Sequence, residues 1–188
     1  MMGCMEDGHG PVTVAVDGWT IRVQHGLPAV YQHYRRNAEL AEEFDLAGDE
    51  GDSCFLAVTR GSEPWPGLVV AQRYSPSAGG FEPGVAFVPE TGVLFVGAGT
   101  RLLAYSLRDR PRRLWEDAAD MGFWHWSVHS SAVLMAAELE LAGWTKDGIK
   151  LWTMFVEPPW SYQVAGDQIE LDVMGRKTLF PLSSGPGD

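Results

Sequence analysis

The residues best suited to chemistry lie in one stretch, Phe123-Trp124-His125-Trp126-Ser127-Val128-His129. Two imidazoles four residues apart can grip one metal ion on a helix, where such positions share a face. The Trp and Val content reads as strand instead. Four residues of strand span about 13 Å, too far for His125 and His129 to hold one ion unaided. No His-Glu-x-x-His and no Cys-x-x-Cys accompanies them, so neither a metal nor a cofactor is expected. Two readings follow. The indoles pack between sheets with the imidazoles at the edges, or Trp124, His125, Trp126 and His129 form an aromatic surface for a ligand or partner.

Two carboxylates come next. Glu138 and Glu140 flank Leu139 inside an apolar run from Ala132 to Ala142. On a strand they share a face with Cα atoms about 7 Å apart. That spacing is compatible with two-carboxylate glycoside hydrolysis, and a covered face would raise one pKa enough to make a general acid. On an open face the pair is the solvated side of an amphipathic strand. The loop Glu157-Pro158-Pro159-Trp160-Ser161-Tyr162 restricts its own backbone, so Trp160 and Tyr162 serve either as low-entropy binding anchors or as plugs over a core. Arg108, Arg110, Arg112 and Arg113 alternate with or precede acids, which reads as a locally paired, solvated loop. There is no Gly-x-Ser-x-Gly, P-loop or dinucleotide fingerprint, and Gly97-Ala98-Gly99 precedes a strand rather than a helix.

These residues need a scaffold. Val12, Val14 and Val16 alternate up to Asp17-Gly18, and Trp19, Ile21 and Val23 alternate after it, a hairpin with a type I′ turn. Pro28 opens a predicted amphipathic helix whose apolar stripe is Val30, Tyr34, Ala38, Ala41 and Phe44, with Gly48 as its stop. A polar linker, Asp49 to Asp52, follows. From Ser53 the pattern turns to short apolar runs punctuated by Gly and Pro, including Pro76, Gly79-Gly80 and Thr91-Gly92. This predicts stacked antiparallel sheets. The expected organisation is one mainly β (α+β) domain over 1–188, with a hairpin plus helix at 11–48 and an antiparallel β region at 53–182.

Two segments of that region look alike. Val93 to Gly97, then Leu102 to Leu107, ends on Arg113-Leu114-Trp115. Val133 to Ala137, then Leu139 to Trp144, ends on Lys150-Leu151-Trp152. The Leu-Trp ends are about 37 residues apart, and a third copy begins near Ile169. Residues 85–182 thereby resemble the blades of quinoprotein-like and WD-type β-propellers. The resemblance implies small twisted sheets that bury their faces on each other, with Trp filling the gaps. The chain holds material for two or three blades, so the resemblance implies a partial array, closure by self-association into a homo-oligomer, or similar hairpins only. The quinoprotein cofactor does not carry over, because no matching ligand set is present.

Composition bounds the function. Of 188 residues, 45% are apolar and 11% aromatic, enough for a real core and too apolar for disorder. No apolar run reaches the roughly 18 residues of a spanning helix, and no basic, apolar leader opens the chain. Cys4 and Cys54 make no disulfide framework. The expected location is cytoplasmic, away from membranes. Acids outnumber bases 25 to 14, a net charge of -11, which opposes nucleic-acid binding. The leading expectation is a non-enzymatic binding protein with a protein partner or small ligand, in one version an acidic immunity-type or inhibitor protein. The alternatives are a hydrolase or lyase acting on a carbohydrate-like ligand through Glu138 and Glu140, and a propeller-like module that self-associates.

Overall fold

The computed structural model describes residues 10–47, 51–75 and 82–187. Cys4, Gly48, the start of the polar linker at Asp49-Glu50, Pro76 and Gly79-Gly80 lie outside the described residues. The protein is mainly β, and it falls into two compact units, Met1–Arg73 and Tyr74–Asp188.

The first unit is built on a five-stranded sheet in the order β1 (Val12–Val16), β2 (Trp19–His25), β4 (Asp52–Arg60), β5 (Leu68–Tyr74), β3 (Leu40–Phe44). Strands β1 (Val12–Val16) and β2 (Trp19–His25) form the hairpin. Asp17 and Gly18 turn it with φ of 47° and 77°, the positive pair that a type I′ turn requires. Strand β4 (Asp52–Arg60) pairs with β2, and β5 (Leu68–Tyr74) is almost wholly buried. Cys54 on β4 is a buried free thiol, pushed up to about 11 by burial.

The helix corrects the sequence reading. It spans only Tyr31–Asn37 (α1), and Ala38 leaves it with an extended ψ of 145°. The second half of the expected helix, Leu40–Phe44, is strand β3 and runs parallel to β5. Tertiary context overrides the helical spacing here. Tyr31 and Tyr34 already cap the Phe55 ring, so the apolar stripe is complete after one face-width. Glu43 on β3 then reaches back to accept the Tyr31 hydroxyl at 2.5 Å and pair with Arg35 at 3.1 Å.

The second unit contains three consecutive antiparallel sheets. The first joins β6 (Gly84–Val88), β7 (Val93–Ala98), β8 (Arg101–Ser106) and β9 (Arg112–Ala118) in chain order. The second joins β10 (Phe123–Val128), β11 (Val133–Ala137), β12 (Glu140–Trp144) and β13 (Lys150–Phe155) in the same way. The third holds three strands, β14 (Trp160–Ala165), β15 (Gln168–Val173) and β16 (Arg176–Pro181). The second sheet is buried on both faces. Val133, Met135 and Trp144 pack with Phe95 and Leu102 of the first sheet, and Leu134, Ala136 and Trp152 pack with Trp160, Ile169 and Phe180 of the third.

The two Leu-Trp pairs occupy corresponding places. In β9, Trp115 opposes Ala104 while Arg113 opposes Tyr105, so Leu114 is the extra residue of a bulge. In β13, Trp152 opposes Gly143 while Lys150 opposes Trp144, so Leu151 is extra. A bulge bends and twists an outer strand, and each brings its indole over a small residue of the neighbouring strand. A Cβ on Gly143 would meet the Trp152 ring at 2.7 Å, so only glycine leaves room.

The stretch around the two candidate carboxylates also differs from the sequence reading. It is not one strand. Glu138-Leu139 is the tight turn between β11 and β12, and both strands are buried on both faces. The two carboxylates therefore do not share a strand face.

Candidate functional site

Strand β10 brings the flagged residues to the second sheet's edge, and its bulge decides which way they face. Phe123 opposes Ala137 and His125 opposes Ala136, so Trp124 is inserted between them. A bulge of this kind lets two adjacent side chains turn to the same side. Trp124 and His125 both line a cleft against β14, and Ser127, two residues on, lines it as well. His129 follows just past the strand on the same wall. Strand β14 supplies the opposite wall through Trp160, Tyr162 and Val164, alternate residues of one face. The cleft has a volume of about 450 Å³, within the range of small-molecule sites.

The rings form a connected wall. Trp124 and Trp160 stack at 5.1 Å between centroids and 11° between planes. Trp160 and Tyr162 stack at 6.1 Å, and so do Tyr162 and His125. Trp160 is anchored from behind, its Nε1–H donating to the Glu138 carbonyl at 3.0 Å. The polar groups form an equally connected row. His129 Nε2 lies 3.0 Å from Ser127 Oγ, Ser127 Oγ lies 2.9 Å from the Tyr162 hydroxyl, and that hydroxyl lies 3.1 Å from His125 Nε2. Partial burial lowers the pKa of both imidazoles from the ordinary 6.5, because desolvation disfavours the charged ring. Burial raises that of Tyr162, against a smaller lowering by the Ser127 hydrogen bond. For His125, His129 and Tyr162 burial thus favours the neutral form, and among the described residues no Asp, Glu, Lys or Arg lines the cleft.

Five of the six aromatic residues singled out from the sequence meet here: Trp124, His125, His129, Trp160 and Tyr162. Trp126 does not. It points to the other face of β10, where it packs on Phe95, Phe123 and Trp144. Ser127 joins the site without having been singled out. Period-two alternation was the signal, since His125, Ser127 and His129 are every second residue. His125 and His129 are joined through the hydroxyls of Ser127 and Tyr162. Among the described residues, no group of three or more His, Cys, Asp or Glu is placed to hold a metal.

Glu140 is occupied elsewhere. It is 5% exposed and accepts the Asp120 N–H at 2.9 Å and the Thr153 hydroxyl at 2.6 Å, with Lys150 Nζ at 3.8 Å. This is the bonding of a structural carboxylate that ties the turn before β10 to β12 and β13. Glu138 contributes its main chain, its N–H donating to Gly122 and its carbonyl accepting from Trp160. The arginine-rich loop pairs locally: Arg113 bonds Glu116 at 3.0 Å, and Arg108 donates to the carbonyls of Thr91 and Glu90.

No protein-family model and no curated protein matches the chain. Among solved structures, the chain is similar to the WD40 β-propeller domain of Doa1, with a TM-score of 0.40 and 12% identity. The match covers 74% of this chain and 52% of that one, so the chain spans about half the length of the structure it matches. Residues 85–182 resemble β-propeller blades. The three consecutive up-and-down sheets of the second unit carry that resemblance. Among the described residues, no helix is long and apolar enough to cross a membrane.

Proposed function

We propose that the protein is a non-enzymatic binding module and that its working surface is the cleft between β10 and β14. The observation that carries this reading is the pairing of a continuous ring wall with a continuous hydrogen-bonding row, both on rigid strands. Rigid aromatic side chains make contact area at low entropic cost, and a few placed polar groups orient what they hold. A hydrolase reading draws no support from Glu140, whose oxygens are engaged with the scaffold. An acidic inhibitor of a cationic protein draws support from the net charge of -11, but the cleft itself is uncharged.

The test is a thermal-shift screen of uncharged ring compounds, charged metabolites and short cationic peptides against the native chain and Trp124→Ala. A ligand that binds only the folded state raises the melting temperature by mass action. At least one class is expected to stabilise the native chain and to lose that effect in Trp124→Ala. Equal stabilisation of both proteins, or none by any class, contradicts the reading.

A further inference from the structure

The hydrogen-bonded row has a property that follows from counting protons. Three bonds join four groups, His129, Ser127, Tyr162 and His125. Each bond needs one hydrogen, and the two hydroxyls supply only two. The third comes from an imidazole Nε2–H, so at least one of the two histidines carries its proton there. The other either accepts at Nε2 or donates as well, which releases one hydroxyl proton for another acceptor. Every group in the row can therefore act as donor or as acceptor, and the row has no fixed polarity.

A partner suited to such a row is itself both donor and acceptor at every position, which describes a hydroxyl. A carboxylate or phosphate only accepts and an ammonium only donates. Either would also enter a cleft with no countercharge, a costly desolvation. The ring wall points the same way. Its rings already stack on each other, Trp124 on Trp160 and Tyr162 on His125, so a flat base would have to part them, whereas the apolar C–H side of a sugar can pack against the column from outside.

We propose that the cleft binds a neutral saccharide, with ring C–H groups on the Trp124–Trp160–Tyr162 wall and hydroxyls joined to the His–Ser–Tyr row. This rests on the cleft being a binding site, and it adds the chemical class. The test is calorimetric titration of the intact chain with maltotriose and cellotriose, beside glucuronic acid and adenosine. Tyr162→Phe and Ser127→Ala are run in parallel, each removing one hydroxyl from the row. At least one trisaccharide is expected to bind, and each variant to weaken it about tenfold, the worth of one lost hydrogen bond in a partly buried site. Circular dichroism and melting temperature of the variants exclude a folding effect. Binding of adenosine or glucuronic acid in preference overturns the saccharide assignment and leaves the binding-module reading standing. Trisaccharide binding that both variants retain at full strength overturns the role of the row. Absence of trisaccharide binding overturns the proposal, and the thermal-shift screen then decides the broader reading by itself.

Discussion

Glu140 and Ser127 show how a single residue's role depends on its neighbours. A carboxylate in an apolar run has the composition of a catalytic acid, but Glu140 meets a main-chain N–H, a hydroxyl and a lysine within the scaffold. Removing it strands the Asp120 N–H and the Thr153 hydroxyl. Glu140→Ala is expected to cost about 2–4 kcal/mol, read as a fall in the urea midpoint with an unchanged slope. A midpoint equal to that of the native chain contradicts the structural role. The aromatic anchors were legible because Trp, His and Tyr cluster visibly in the sequence. Ser127 was not, because a serine gains its meaning only from Tyr162, 35 residues away. Glu140 was misplaced for the same reason, since its partners Asp120 and Thr153 lie on other segments.

At the scale of elements, alternation and turn chemistry were read correctly where one face is buried and one is wet. Strand β15 follows that rule, burying Ile169 and Leu171, whereas the hairpin is set by its Asp17-Gly18 turn while Val12 and Val14 stay exposed. Two places did not. The helical spacing from Val30 to Phe44 is real, but the buried β5 needs a partner along its edge, and Leu40–Phe44 supplies it. The repeat separates Val133–Ala137 from Leu139–Trp144, but the carboxylate reading put Glu138 and Glu140 on a single strand, because both faces of β11 and β12 are covered and no strong polar signal marks the turn between them. The bulges in β9, β10 and β13 are equally silent in the sequence, yet they place Trp115, Trp124 and Trp152. Gly143→Ala tests one of them. The added methyl would overlap the Trp152 ring at 2.7 Å, and the expected loss is about 1–3 kcal/mol by urea denaturation. Native stability would show that the indole can retreat, against the close packing described.

At the scale of the whole molecule, the acidity and the aromatic load fall on different parts of the account. The chain carries a net charge of -11, whereas the cleft of the second unit is lined by uncharged, largely aromatic residues. Stacked sheets were legible because turn signals recur through the β region. The pocket was not, because it forms between β10 and β14, which come from two different sheets. The most direct measurement is chemical-shift mapping of the intact, ¹⁵N-labelled chain during titration with maltotriose. The predicted result is a set of shifts confined to 124–129 and 160–164, including the indole N–H groups of Trp124 and Trp160, with the first unit unmoved. Shifts centred on the first unit, or spread evenly over the chain, would contradict a binding site in this cleft.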